Sequence, residues 1–266
     1  MNIFYETVLE EITRRGYEVV LREVTKNNVK HIGIQFTDKK SNMQPVVYID
    51  HMEGDCADIA EEAITLFEKA RVESLNVTEF MNYDFFKEHL SIALQRKSEE
   101  DIEKKPFLED MEQYLILIWD GKTMRITSES LKYVGMNSEE AWQFAQKNLN
   151  NSTRIISMIE ALAEIAGNLE DMEMLLPDNP MDIIHANNGH KGASGILNTE
   201  LLREYAEKKG VNKLAFIPSS IHEGIIIPYN ENGLSIEEIG EFVKLVNAEE
   251  VEPEDQLSDR AYIIEV

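Results

Sequence analysis

The chain has one cysteine, Cys56, so it can form no internal disulfide and carries no paired-cysteine metal motif. No apolar run approaches the roughly 18–20 residues that a membrane-spanning helix needs. The longest, Tyr114 to Trp119, has the length of a strand. The start, Met1-Asn2-Ile3-Phe4-Tyr5-Glu6, has no basic stretch followed by an apolar one, the pattern of a secretory leader. Together these absences predict a cytoplasmic protein with no membrane partner. Positive charge is also scarce, with 26 Lys and Arg against 50 Asp and Glu, a net charge of −24 over 266 residues. So few cations release few counterions from a phosphate backbone, which argues against direct nucleic-acid binding. Anionic membrane surfaces repel such a chain as well. The deficit is uneven. Residues 1–50 carry seven acids and seven bases, so the whole excess lies in 51–266.

What is present is a globular composition, 43% hydrophobic, which is enough to bury a core. Phe4, Tyr5, Val8, Leu9 and Ile12 recur at helical spacing before Gly16 and predict a first helix. Residues 17–50 read as strands, with Ile32, Ile34 and Phe36 alternating with His31, Gly33 and Gln35. Ile59, Ala63, Ile64, Phe67 and Ala70 predict a second helix over 58–72. Phe85, Phe86, Leu90, Ala93 and Leu94 predict a third over 84–96. Lys97 to Lys105 is almost wholly charged and Pro106 follows it. This places a charged connection at 98–110, between an N-terminal α+β subdomain, 1–97, and a C-terminal one, 111–266.

In the second half, Asp120-Gly121 predicts a hairpin. Thr127 or Ser128, Asn137 or Ser138, Ser157 and Ser235 are predicted to cap helices, and Gly167 to close the one that Ser157 opens. Met181 to His185, Lys213 to Ile217, Gly224 to Tyr229 and Ala261 to Ile264 read as strands. Ile236, Ile239, Phe242, Val243 and Val246 form the apolar stripe of the last helix. Gly121 with Ile126 to Leu131, and Gly192 with Leu197 to Leu202, both read as turn, strand and capped helix, a likeness that a duplicated β-β-α unit would produce and that capping preferences alone can also produce. Strands in adjacent pairs, interspersed with amphipathic helices, predict an α+β class with mostly antiparallel sheet.

Two segments could carry chemistry. Asn187 to Gly195 has glycine at every third position, so its N–H groups could cradle an anion. Its Lys191 and Arg154 are the only Lys or Arg residues between 151 and 200. The spacing fits neither a Walker A loop nor a dinucleotide fingerprint. Asn188, Gly189, His190 and Lys191 are ligand-binding candidates, set against the plainer reading of a flexible connection. In Ile217 to Gly224, Ser219, Ser220, His222 and Glu223 are candidates of the same kind. A serine hydrolase needs a base in reach of its nucleophile and an acid orienting that base. In an extended strand, however, His222 and Glu223 point to opposite faces, and there is no Gly-x-Ser-x-Gly elbow. The plainer reading is a turn joining two strands. The six histidines, His31, His51, His89, His185, His190 and His222, match no metal-binding motif. Convergence of His185, His190 and His222 with Asp182 or Glu223 is the metal alternative, and the reading predicts no metal and no cofactor.

Leu214 to Glu223, then Val246-Asn247-Ala248, then Leu257 to Tyr262, with Tyr48-Ile49-Asp50, the Asn76 to Tyr83 linker and the Gly121 hairpin earlier, resemble the domain of unknown function 5688 family, uncharacterised proteins of anaerobic Gram-positive bacteria. The ending Ile263-Ile264-Glu265-Val266 is less aromatic than that family's. The resemblance implies no known activity, cofactor or partner, and it draws attention to Ser219 to Glu223.

The resulting expectation is a non-enzymatic accessory or regulatory binding module. It would recognise an unknown ligand or protein partner through a groove bordered by the 187–195 loop and the 218–223 turn. The alternatives are a hydrolase or transferase using Ser219, His222 and Glu223, and an acidic decoy for a nucleic-acid-binding partner.

Overall fold

The computed structural model describes residues 3–37, 45–72, 80–166, 181–186, 191–230 and 233–266. The chain divides into two compact units, Met1–Phe80 and Met81–Val266, and its class is α+β with antiparallel sheets. Among the described residues no helix is long and apolar enough to cross a membrane.

In the first unit, α1 (Ile3–Arg14) precedes strands β1 (Val19–Lys26), β2 (Val29–Phe36) and β3 (Val46–Tyr48), and α2 (Cys56–Val72) follows. The strands form one antiparallel sheet in that order. Asn27 and Asn28 turn β1 into β2, both at positive φ (46° and 66°), a conformation asparagine tolerates better than most residues. The core joins Val8 and Ile12 of α1, Ile34 and Phe36 of β2, and Ile59, Ala63 and Phe67 of α2. Phe36 and Phe67 stack with centroids 4.4 Å apart.

The second unit begins with α3 (Tyr83–His89), which runs into β4 (Leu90–Arg96). The helix expected over 84–96 is therefore half helix and half strand. At Leu90 the backbone turns extended (φ −60°, ψ 136°), and Leu90 to Gln95 are all buried. A strand covered on both faces shows no period-2 alternation, so its apolar pattern imitates a buried helix. β4 pairs with β6 (Met111–Trp119) from Leu90↔Leu117 to Arg96↔Met111. The other side of β6 takes β5 (Lys104–Phe107) and, beyond a turn at Asp120 and Gly121, β7 (Lys122–Arg125).

The charged stretch thus lies between strands of one sheet, and the unit boundary falls at Phe80–Met81. Its polar groups converge on Glu112, which is only 6% exposed. Glu112 Oε1 accepts from Gln95 Nε2 at 2.7 Å, Ser98 Oγ at 2.7 Å and Lys104 Nζ at 3.3 Å, while Arg125 pairs with Glu100. A buried carboxylate needs such donors, so this charge pattern marks a polar centre within the fold.

Next come α4 (Ser128–Val134), capped by Thr127, and α5 (Ser138–Ser152), capped by Asn137. After them lie β8 (Thr153–Ser157), α6 (Met158–Ala166) and β9 (Asp182–Ala186). Ser157 and Glu160 form the expected capping pair, and Gly167 lies outside the described residues. Gly192–Leu197 is a 3₁₀ helix, so the second half of the internal likeness has no strand. Then follow α7 (Thr199–Lys209), β10 (Lys213–Ile217), β11 (Gly224–Pro228), α8 (Ile236–Glu250) and β12 (Tyr262–Glu265). The second sheet of this unit has the order β12-β10-β11-β9-β8, antiparallel throughout.

Candidate functional site

Of the eight sequence-derived candidates, Asn188, Gly189 and His190 lie outside the described residues. The remaining five are Lys191, Ser219, Ser220, His222 and Glu223, and the two segments that hold them meet. Gly192 N donates to His222 O at 2.7 Å. The meeting is through backbone and tight. Lys191, at φ 56°, leads into the 3₁₀ helix, whose Gly192 to Ile196 are buried. His222 turns its ring to Asp255, Nε2 to Oδ1 3.3 Å, and its backbone N–H, not its imidazole, reaches Ser220 Oγ at 3.1 Å. Glu223 is exposed. A serine–histidine relay needs the ring nitrogen at the hydroxyl, and here the ring is engaged elsewhere.

The 218–223 turn is bound along its length by residues 255–258. Ile221 N donates to Asp255 O at 2.8 Å, Leu257 N to Ser219 O at 3.2 Å and Ser258 N to Pro218 O at 3.1 Å. Behind this ladder lies a polar node. Asn247, 2% exposed, donates from Nδ2 to Ser258 O and to Asp259 Oδ1, both at 2.9 Å. Gln256 Nε2 donates to Asn247 O at 2.7 Å, and Arg96 donates to Gln256 Oε1 at 2.8 Å. Asp110 takes Ser258 Oγ at 2.7 Å on one oxygen and the Tyr262 hydroxyl on the other. The three C-terminal stretches that carry the family resemblance therefore share one hydrogen-bonded cluster.

Burial, with Asp110 accepting its hydrogen bond, pushes the Tyr262 hydroxyl up to about 12 from 10.0. A pKa raised on folding gives stability that is complete below the unfolded value and lost as pH rises through the folded one. Tyr262→Phe is accordingly expected to be less stable than the parent near neutral pH. The gap should close between about pH 10 and about pH 12. Urea titrations at both ends of that window check this, and a gap that stays constant would refute it.

Two surfaces remain. An open groove of about 680 Å³ runs along α5, lined by Gln113, Gln143, Gln146, Asn150 and Asn151 beside Trp142, with Lys105 Nζ 4.1 Å from the Trp142 ring centroid. Its lining offers amide donors and acceptors but no serine, cysteine or histidine. The second surface is α8. Its expected stripe is only partly buried. Val243 is 4% exposed and Asn247 2%, whereas Phe242 is 61%, Leu245 63% and Val246 49% exposed. One narrow edge of α8 packs toward β10, leaving a three-residue apolar patch outward. Around it stand exposed Glu237, Glu238, Glu241, Glu249 and Glu250, and the helix has one base, Lys244.

The first unit holds a cluster that no sequence motif marks. His31 Nδ1 lies 2.9 Å from Asp50 Oδ2, and His51 Nε2 lies 3.6 Å from the same oxygen and 3.4 Å from His31 Nδ1. The register produces this. Gly33 pairs with Tyr48, and Ile49 N donates to Ile32 O at 2.9 Å, so the next pair along brings Asp50 opposite His31. Met52 N then donates to Ile49 O at 3.3 Å, a turn that folds His51 back toward the pair. The available signal was an Asp-His dipeptide just after a strand.

The family described as Family of unknown function (DUF5688) matches residues 1–265, and the chain belongs to it. No curated protein and no solved structure matches the chain.

Proposed function

We propose that this member of a family of unknown function is a non-enzymatic binding module that takes a cationic, amphipathic segment of a partner protein on the outer face of α8. The observation that carries the reading is the outward placement of Phe242, Leu245 and Val246 within a ring of carboxylates. Residues three and four apart on a helix present one continuous face, the spacing read by a partner helix in a groove or seam. Side chains of this size contribute on the order of 1.5–3 kcal/mol each when a partner buries them. The acidic surround favours basic partners and repels a second copy of a chain with net charge −24. It also weighs against a phosphate decoy, because the apolar side chains interrupt the carboxylates where a phosphate mimic needs a continuous stripe.

The test uses a synthetic helix-forming peptide with lysine on one face and leucine on the other, titrated into the full chain. The parent is expected to bind it, and the Phe242→Asp/Leu245→Asp variant at least about tenfold more weakly, about 1.4 kcal/mol. The variant is more acidic than the parent, so unspecific attraction predicts equal or tighter binding. That outcome would overturn the proposal.

A further inference from the structure

We propose that His31, Asp50 and His51 form a binding site for a divalent metal ion of the zinc class. The site lies in the first unit and is independent of the α8 face.

Zinc bonds to imidazole nitrogen and carboxylate oxygen are about 2.0–2.2 Å long, so two ligand atoms of a tetrahedral ion stand about 3.4 Å apart. The three atoms here are separated by 2.9, 3.4 and 3.6 Å, close to one triangular face of such a tetrahedron. The donor set, two imidazoles and one carboxylate, suits zinc better than the oxygen-seeking calcium or magnesium.

A second observation points the same way. Asp50 Oδ1 is buried and has no hydrogen-bond partner among the described residues. It belongs to the same carboxylate whose Oδ2 makes the triangle, and a cation bound to that carboxylate offsets the cost of burying its charge. Asp50 is mostly buried, at 17% exposure, and His31 is 2% exposed, so two of the ligands are held by the fold. His51, at 67% exposure, leaves a path from solvent. Edge-on contact with Tyr48, centroids 5.6 Å apart, fixes the plane of His31.

The experiment takes the full chain, freed of metal with a chelator, and titrates Zn²⁺ calorimetrically in the presence of excess Mg²⁺ to occupy scattered carboxylates. One zinc ion per chain is expected, with a Kd of about 1 μM or tighter. His51→Ala, a change at an exposed side chain, should weaken it at least about tenfold. Asp50→Asn should do the same. Co²⁺ in place of zinc should give the visible absorption of a tetrahedral site in the parent, and His51→Ala should abolish it. Absence of stoichiometric zinc binding in the parent would overturn the proposal, as would affinity unchanged in both variants.

Discussion

Gly192→Ala is expected to cost about 3 kcal/mol or more of stability, or to prevent the second unit from folding. The backbone at Gly192 is not left-handed, so the demand is for space. A Cβ there would stand 2.5 Å from His222 O, 2.9 Å from Ala186 N and 3.3 Å from the His185 Cα. All three are backbone atoms of two different segments and cannot rotate aside as a side chain would. Relief requires the 3₁₀ helix to move off the sheet. That movement breaks the 2.7 Å bond from Gly192 N to His222 O and loosens the buried Ala193 and Ile196. Lys191→Gly is the matched control. It removes a side chain held at φ 56°, and is expected to leave stability within about 1 kcal/mol of the parent or raise it. Urea unfolding of both variants decides the matter. A Gly192→Ala protein within about 1 kcal/mol of the parent would mean that the contact yields cheaply.

Asn247→Asp should cost about 3–5 kcal/mol near neutral pH. The substitution keeps shape and volume but replaces an N–H₂ group that serves two acceptors, Ser258 O and Asp259 Oδ1. The new carboxylate is buried, faces a second carboxylate, and has no donor in place of the two bonds lost. Its protonated form is neutral and can donate once, so folding raises its pKa. The penalty is therefore present above the folded pKa and fades as pH falls through it. Unfolding midpoints should differ widely from the parent near pH 7 and converge toward about pH 4. A variant as stable as the parent at neutral pH would show that the node contributes little.

Much of the secondary structure was legible because local rules and tertiary packing agree there. The caps at Thr127, Asn137, Ser157 and Ser235 and the Asp120-Gly121 turn are local devices, and the fold keeps them. Leu90 to Arg96 is strand where its apolar spacing predicts helix, because burial on both faces erases the period that separates the two. Phe242 and Val246 belong to the apolar stripe of α8 yet stand exposed, because hydropathy reports which side chains are apolar, not which faces find a neighbour. For the candidate sites, the sequence flagged Ser219 to Glu223, whose backbone is bound by 255–258. Asn247 stands in a stretch that carries the family resemblance, but nothing local marks it as a donor, and Asp110 gives no signal because its partners Ser258 and Tyr262 lie 148 and 152 positions away. His31, Asp50 and His51 were invisible for the same reason: 19 residues separate His31 from Asp50, and only the strand register brings them together.

The polar node also has a bearing on the order in which the protein can be made. Asp110 finds its partners in Ser258 and Tyr262, 148 and 152 positions later. β10 likewise lacks its outer neighbour until β12 has been added. During synthesis, which proceeds at about 5–20 residues per second, the early part of the second unit is therefore translated well before the residues that close it. Throughout that interval β10 presents an open strand edge, the kind of surface on which chains pair wrongly. A ribosome that stalls beyond β11 would release a chain with most of its helices but no seal on its sheet. For this protein, the hazard of an interrupted message is aggregation as well as loss of product.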